Sequence, residues 1–317
     1  MKLIGALAAA LDFAGRHGTL LAATSIFVGL AFPALAAACK PFLGEAIVVI
    51  LALAFLRVDP ADLRRHWMRP GLIGAATVWT MLIVPAVLGM VFLAFRLDQH
   101  APGLYFMLVL QMSAPGLMSS PALAALLGLD IALTLATLIV STAITPLTAS
   151  LFTHIYLETA FASPLALGLR LFLIIAGCAA AAAIIRRITG QAFIEAQHER
   201  IDGLSVIAMF MFAVAAMDSV ADRLRSDPLL VIELSALAFG LALAMIALTA
   251  VIFLRSGRAR AFAIGLIAGN RNVGLMLAAT GFAVPDLAWL YFGVAQFPIY
   301  LLPHLLKPLA RRIVSDR

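Results

Sequence analysis

Long apolar runs recur along nearly the whole chain, and they restrict the folds that the sequence can adopt. Many of them reach about 18 residues, the length at which a helix can cross the hydrocarbon core of a bilayer. The composition agrees, because 64% of the 317 residues are hydrophobic and only 12% are charged. The strands of a membrane barrel would alternate apolar and polar residues, and these runs do not. The sequence therefore predicts an all-α polytopic membrane protein.

The apolar runs divide into ten predicted membrane-spanning helices joined by short connections. Their predicted bounds are 19–39, 41–58, 71–95, 104–128, 130–150, 163–185, 203–222, 227–254, 259–283 and 286–309. Ten spans separate into two sets of five, 19–150 and 163–309, and the second set then enters the membrane in the opposite sense, as an inverted repeat. We expect residues 1–18 to form an amphipathic surface helix, with a cleaved signal peptide as the alternative. Residues 310–317 are expected to form a cytoplasmic tail.

The basic residues are distributed unevenly between the two predicted faces of the membrane. Most of the 22 Lys and Arg residues fall on the face that carries both termini. Because positive residues accumulate on the cytoplasmic side, we expect both termini to be cytoplasmic and the protein to lie in the cell inner (plasma) membrane. The net charge of +6 is therefore interpreted as a topology signal, and no nucleic acid is expected as a partner. The oligomeric state stays open.

A polar triplet, Asn270-Arg271-Asn272, lies at the centre of the ninth predicted span. An arginine at mid-membrane costs about 2.5–3.5 kcal/mol on insertion scales, so it needs a water-filled cavity, a partner or a function. Intramembrane ionisable residues commonly mark transport pathways. The triplet therefore predicts a substrate site at mid-depth. Arg271 is a candidate ligand for an anion, because a guanidinium binds a carboxylate or sulfonate in a two-pronged fashion.

The fourth and ninth predicted spans are both interrupted at mid-depth, at corresponding places in the two halves. Pro115-Gly116 and Pro121 interrupt the fourth span, and Gly269 with the triplet interrupts the ninth. Such pairs indicate the binding site of a secondary transporter, because interrupted helices expose free amides and carbonyls. The alternative is structural, since Pro and Gly are common in membrane helices and small residues allow close packing. The fourth-span residues assigned to the substrate site are Gln111, Ser113, Ser119 and Ser120.

Two regions of the chain resemble the bile acid:sodium symporter family. Residues 114–124, continuing through the Gly128–Asp130 turn to residues 141–146, are similar to that family's fourth-span motif, Gly-Asp turn and fifth span. Residues 269–276 look like its ninth-span motif. The resemblance implies ten helices in two inverted repeats, with spans 4 and 9 crossing in a core domain and spans 1, 2, 6 and 7 forming a panel domain. It also implies alternating-access transport of an organic anion, driven by two sodium ions.

Three residues depart from the sodium-binding pattern that this resemblance implies. The asparagine expected after Ser120 is Pro121, the ninth-span glutamate is Ile267, and the glutamine that follows it is Arg271. A guanidinium at a sodium position repels the ion and can replace its charge. At least one sodium site is therefore expected to be absent. Substitution for a cation and direct contact with the substrate remain alternative roles for Arg271.

Hydroxyl groups at the other cation-binding positions are partly retained. By the resemblance, Ser120 and Thr134 match ligands of the family, Thr137 stands beside the next position, which is now Leu138, and Thr80 replaces a third-span glutamine. These residues define a degenerate cation site. No cofactor is expected, with a sodium ion at one residual site as the open alternative.

The remaining sequence features exclude most other functional classes. No His-Glu-x-x-His motif is present, and Cys39 and Cys178 lack the spacing of a metal site, so an enzyme is not expected. The sequence predicts a transporter of a carboxylate- or sulfonate-bearing organic anion, with sodium coupling reduced or lost. Its expected partners are this small anion and the lipid bilayer. An anion channel or facilitator and a non-transporting scaffold are the alternatives, and the substrate and coupling ion stay open.

Overall fold

The computed structural model describes residues 2–58, 70–157 and 163–315, and these residues are helical almost throughout, without a β-strand. The connection 59–69, which includes three of the arginines used to predict the topology, lies outside the described residues. In chain order the helices are α1 Lys2–Arg16, α2 Gly18–Ala31, α3 Pro33–Cys39, α4 Leu43–Arg57, α5 Pro70–Val78, α6 Val84–Ala94, α7 Leu97–His100, α8 Pro102–Ser113, α9 Ser120–Leu126, α10 Ile131–Tyr156, α11 Pro164–Thr189, α12 Gln191–Ala196, α13 His198–Ala216, α14 Asp218–Ser226, α15 Pro228–Ile252, α16 Arg258–Gly269, α17 Val273–Ala279, α18 Asp286–Val294 and α19 Gln296–Ser315.

Helix occupies every segment that the sequence predicts to span the membrane. Within the described parts of the chain, six stretches are long and apolar enough to cross by themselves: Pro33–Arg57, Pro70–Ala94, Ile131–Tyr156, Pro164–Thr189, His198–Ser226 and Pro228–Ile252. These correspond to predicted spans 2, 3, 5, 6, 7 and 8. The other predicted spans are each divided into shorter helices, so the count of ten crossings and the inverted repeat stay predictions.

The break between the first two predicted spans lies at Phe32, and the predicted boundary near residue 40 was wrong. Phe32 has φ −124° and ψ 74°, and α3 begins at Pro33. A proline disfavours the helical conformation in the residue before it, which explains the break. Around residue 40 the chain instead continues into α4 through a 3₁₀ turn, Lys40–Phe42.

The chain divides into two compact units. Unit 1 draws on Met1–Pro60 and Ile174–Val231, and unit 2 draws on Ala61–Leu173 and Ile232–Arg317. Unit 1 thus takes in predicted spans 1, 2 and 7 and part of span 6. Unit 2 takes in spans 3, 4, 5, 9 and 10 and most of span 8.

In unit 1, α1 packs antiparallel against α13 through two glycines. A Cβ on Gly15 would collide with the carbonyl oxygen of Glu199, and a Cβ on Gly203 would collide with that of Leu11. The two backbones therefore touch directly, and larger residues would force them apart. The guanidinium of Arg16 also donates to the Glu199 carboxylate at 3.1 Å. The placement of this helix at the membrane surface stays a prediction.

Arg186 closes the C-terminal end of α4, also within unit 1. Its Nη2 lies 3.1 Å from the carbonyl oxygen of Phe55, 2.9 Å from that of Leu56 and 2.6 Å from that of Val58. The last carbonyls of a helix have no partner within the helix and carry partial negative charge. The guanidinium both satisfies and neutralises them.

Unit 2 is built around the two interrupted spans. Nearly every residue of α8 is buried, from Gly103 to Ser113, and so is α16 from Ala261 to Gly269. A helix that is apolar on all sides is stable inside a protein or in lipid, and the burial of α8 and α16 shows that both are surrounded by protein. The interrupted spans are therefore enclosed by α5, α10, α18 and their neighbours, which fix the positions of the polar residues at the interruptions.

Candidate functional site at the crossing of two interrupted helices

The two interruptions pair with each other through the backbone. The N–H of Leu117 donates to the carbonyl oxygen of Asn270 at 2.9 Å, and the N–H of Asn272 donates to that of Pro115 at 2.8 Å. These bonds form a short antiparallel bridge between the segment linking α8 to α9 and the segment linking α16 to α17. The two spans therefore cross where neither is helical.

Pro121 does not interrupt the fourth span in the way that the sequence led us to expect. It stands in the first turn of α9, where the missing N–H of a proline would have had no helical partner. The interruption itself covers residues 114–119, and Pro121 begins the helix that follows it.

Gly116 lies in the bridge between the two spans, opposite Arg271. A Cβ at this position would be 2.7 Å from Cγ2 of Ile267 and 3.4 Å from Cδ1 of Leu138. Ile267 and Leu138 occupy two positions where the resemblance implies cation ligands. The structure brings these two residues together beside the crossing and fills the position with hydrocarbon.

The Arg271 side chain is 3% exposed and donates hydrogen bonds to carbonyl oxygens of three different segments. Its Nε donates to Ala268 at 2.9 Å, its Nη1 to Ala114 at 3.0 Å and its Nη2 to Thr80 at 3.0 Å. No carboxylate of the described residues forms an ion pair with it. The guanidinium thus resembles a cation held by main-chain oxygens.

The carbonyl of Thr80 is free because of a local irregularity in the third span. Trp79–Ile83 form a π-helical turn between α5 and α6, in which the N–H of Val84 donates to the carbonyl of Trp79. The next donor in this register would be Pro85, which has no N–H. The carbonyl of Thr80 therefore has no partner in its own helix and accepts from Arg271.

The other two acceptors of Arg271 are also carbonyls at helix ends. Ala268 lies in the last turn of α16, and the N–H four residues later, on Asn272, is committed to the other span. Ala114 follows the last residue of α8 and has an extended backbone. Two helix C-termini, with their partial negative charges, therefore converge on one positive group.

The two asparagines beside Arg271 have different local roles. Asn272 caps α17, since its Oδ1 accepts from the N–H of Leu275 at 3.1 Å. The Nδ2 of Asn270 donates to the carbonyl of Leu266 at 3.1 Å, whereas its Oδ1 is buried without a hydrogen-bond partner. Asn270 therefore keeps an acceptor for a ligand, and Asn272 is occupied by its helix.

We expect Asn272→Ala to lower the free energy of unfolding by about 1 kcal/mol, the usual contribution of an N-cap. Asn272→Asp retains the capping oxygen and is the matched control. Thermal unfolding of the purified protein checks this role. An unchanged unfolding midpoint in Asn272→Ala would contradict it.

The predicted polar residues of the fourth span are dispersed along α8 and α9. The hydroxyl of Ser113 donates to the carbonyl of Val109 at 2.8 Å. Ser119 is at the N-cap of α9 but makes no capping bond with its side chain. Gln111 is buried one turn before the interruption. Its side chain lies beside the hydroxyl of Tyr291, and its Oε1 makes no hydrogen bond of good geometry.

The four residues of the degenerate cation site divide into two pairs. The hydroxyls of Thr80 and Thr134 each donate to the carbonyl four residues earlier in their own helix, both at 2.8 Å. The hydroxyls of Ser120 and Thr137 are buried and unpartnered. A hydroxyl that donates still has lone pairs on its oxygen, so all four oxygens can coordinate an ion, and the second pair has no competing hydrogen bond.

Our sequence reasoning missed three further buried oxygens of unit 2. The hydroxyl oxygens of Thr77 and Thr142 have no hydrogen-bond partner, and that of Tyr291 lies beside the Gln111 side chain. Thr77 precedes Thr80 by three residues on one helix face, a spacing that could have identified it. Nothing in the sequence around Tyr291 distinguishes it from an ordinary core tyrosine.

A family model described as the Sodium Bile acid symporter family matches residues 46–227. The matched region is more than half of the chain and contains Thr80, the interruption of the fourth span and the hydroxyls of α10. It ends before the ninth span, so Arg271 lies outside it. No curated protein matches the chain significantly.

Proposed function

The chain belongs to the sodium bile acid symporter family of membrane transport proteins, and on that premise we propose that it is a secondary transporter of a small organic anion. The proposed substrate carries a carboxylate or sulfonate, and it crosses the inner membrane by alternating access. The observation that carries this proposal is the backbone bridge between two interrupted spans, because helices interrupted at mid-depth form substrate and ion sites in secondary transporters.

The division into two units supports the proposal that the protein has a panel domain and a core domain. Unit 1 draws on the segments of spans 1, 2, 6 and 7 that the family resemblance assigns to a panel, and unit 2 contains both interrupted spans. We propose ten spans in two inverted repeats, with both termini in the cytoplasm. The excess of basic residues on the terminal face supports this orientation.

We propose that Arg271 replaces a bound sodium ion. A substrate ligand needs donors that the substrate can reach, whereas this side chain is buried and three of its five N–H groups donate to main-chain carbonyls. Carbonyl oxygens at helix C-termini are also the groups that coordinate sodium in transporters. A fixed cation among them opposes the entry of a second one.

The apolar contacts beside the crossing argue against a second sodium site built from the oxygen ligands that the family resemblance implies. Ile267 and Leu138 lie where the family resemblance implies oxygen ligands, and both pack near Gly116. Hydrocarbon cannot coordinate sodium. We therefore propose that sodium coupling is reduced or lost, although Ser120 and Thr137 keep hydroxyls without a hydrogen-bond partner.

Uptake by proteoliposomes tests the proposed function. We expect saturable uptake of a carboxylate or sulfonate, chosen from an anion panel by thermal shift, at the same rate in sodium as in potassium or choline. Uptake with a steep, two-ion dependence on sodium would contradict the proposed loss of coupling. Flux that does not saturate would indicate a channel, and no flux with any anion would indicate a scaffold.

A further inference from the structure

A cleft of about 340 Å³ lies at one end of unit 2, where the chain passes from α15 into α16. Its walls are the turn before α10, the connection that contains Ser256 and Gly257, the first residues of α16, and Ile313 of α19. None of the residues assigned to the crossing lines it. The cleft is therefore a separate feature from the candidate transport site.

Arginine side chains dominate the charge of this cleft. Arg258 and Arg260 line it, and Asp130 is the acidic residue among its walls. Arg260 donates through Nη1 to the carbonyl of Ser256 at 2.8 Å. Its Nε is buried and forms an ion pair with Asp130 Oδ2 at 3.6 Å. The side chain is 30% exposed. The contacts with Ser256 and Asp130 hold it in place and leave the N–H groups of Nη2 unused.

The position of the cleft along the helices indicates the kind of ligand. Exposed apolar residues precede the arginines directly, at Val251, Ile252 and Leu254, and α19 presents exposed Leu305 and Leu309 near its end. Exposed hydrocarbon on a membrane helix faces lipid tails. The arginines that follow it therefore lie at the level of the lipid headgroups.

We propose that this cleft binds the phosphate group of an anionic phospholipid. Guanidinium groups bind phosphate through paired hydrogen bonds, and basic pockets between membrane helices are known to hold anionic headgroups. The cleft volume falls within the range of small-ligand sites, about 300–1,000 Å³. A bound headgroup would tie the start of α16, which leads to the crossing, to the turn that begins α10.

A thermal-unfolding titration of the full-length protein in detergent tests this site. Short-chain phosphatidylglycerol should raise the unfolding midpoint more than phosphatidylcholine of the same chain length. The Arg258→Gln/Arg260→Gln variant should weaken the apparent affinity for phosphatidylglycerol about tenfold, as expected for the loss of charge-assisted hydrogen bonds. The Arg223→Gln/Arg225→Gln variant removes the same charge from exposed positions of α14 and should keep the wild-type response.

The Asp130→Asn variant is expected to act in the opposite direction. It removes the negative charge from the cleft but can keep the oxygen that caps α10 by accepting from the N–H of Leu133. Its affinity for phosphatidylglycerol should rise, an effect that misfolding cannot imitate. Equal responses to the two lipids, or an unchanged affinity in both cleft variants, would overturn the proposal. If inorganic phosphate at the same concentration reproduces the shift, the site binds a soluble anion and the lipid assignment is wrong.

Discussion

Stability and uptake should become sodium-dependent in the Ile267→Glu/Arg271→Gln variant. The first change introduces a carboxylate beside the crossing, and the second removes the fixed cation from the three carbonyls of Ala268, Ala114 and Thr80. A ligand that binds only the folded state stabilises it by about 2.7 kcal/mol when its concentration is 100 times the dissociation constant. Unfolding midpoints in sodium and potassium chloride at equal ionic strength measure this effect.

Two single variants are the controls for the sodium experiment. Arg271→Gln vacates the carbonyls without adding a carboxylate, so a weaker sodium response is expected, and this variant also serves if the double variant does not fold. Arg186→Gln removes a guanidinium from an equivalent set of three carbonyls in unit 1. The Arg186→Gln variant should have an unfolding midpoint lowered by the same amount in sodium chloride and in potassium chloride. Coincident sodium and potassium curves for a folded double variant would overturn the assignment of Arg271 as a replacement for sodium.

The Arg271→Ala variant is expected to lose transport and several kcal/mol of stability. Each buried carbonyl left without a donor costs about 1–3 kcal/mol, and three are affected at once. Arg271→Lys keeps the positive charge but cannot present three nitrogens in one plane. We therefore expect Arg271→Lys to be intermediate in unfolding midpoint and in uptake rate.

The relation between stability and KM separates the two roles of Arg271. If the side chain replaces an ion, stability and maximal uptake fall together along the series from Arg to Lys to Ala, and KM changes little. A large rise in KM at an unchanged unfolding midpoint would show instead that Arg271 holds the substrate. Arg186→Ala is the matched control, because its loss should destabilise unit 1 without a specific effect on KM.

Hydrophobicity predicted where helices occur in this chain, but local backbone chemistry decided where they end. The hydrophobicity of the first two predicted spans did not by itself place a break at Phe32. Pro33 imposed that break through its effect on the preceding residue. Pro121 had the opposite outcome, since its place in the first turn of α9 allows the helix to begin there.

The candidate site was predicted in part, because a charged residue inside an apolar segment is conspicuous and its main-chain partners are not. Arg271 could be identified from the free-energy cost of an arginine at mid-membrane alone. Thr80 was identified for its side chain, whereas the atom that meets Arg271 is its carbonyl oxygen. That oxygen is available because Pro85 has no N–H and the helix adopts a π register, a combination that no residue pattern encodes.

The cation at the crossing, the Arg271 guanidinium, is covalently attached to the chain. Its presence there therefore does not depend on the ions in solution. A dissociable ion occupies its site in proportion to its concentration, so its arrival and departure can report the gradient across the membrane. On the proposed role of Arg271, its guanidinium occupies this position at any ionic composition. Two of its three acceptors, Ala268 and Ala114, lie in or beside the segments that the Leu117 and Asn272 amides join. The order of events in the proposed transport cycle would then be set by the substrate, or by an ion bound at another site.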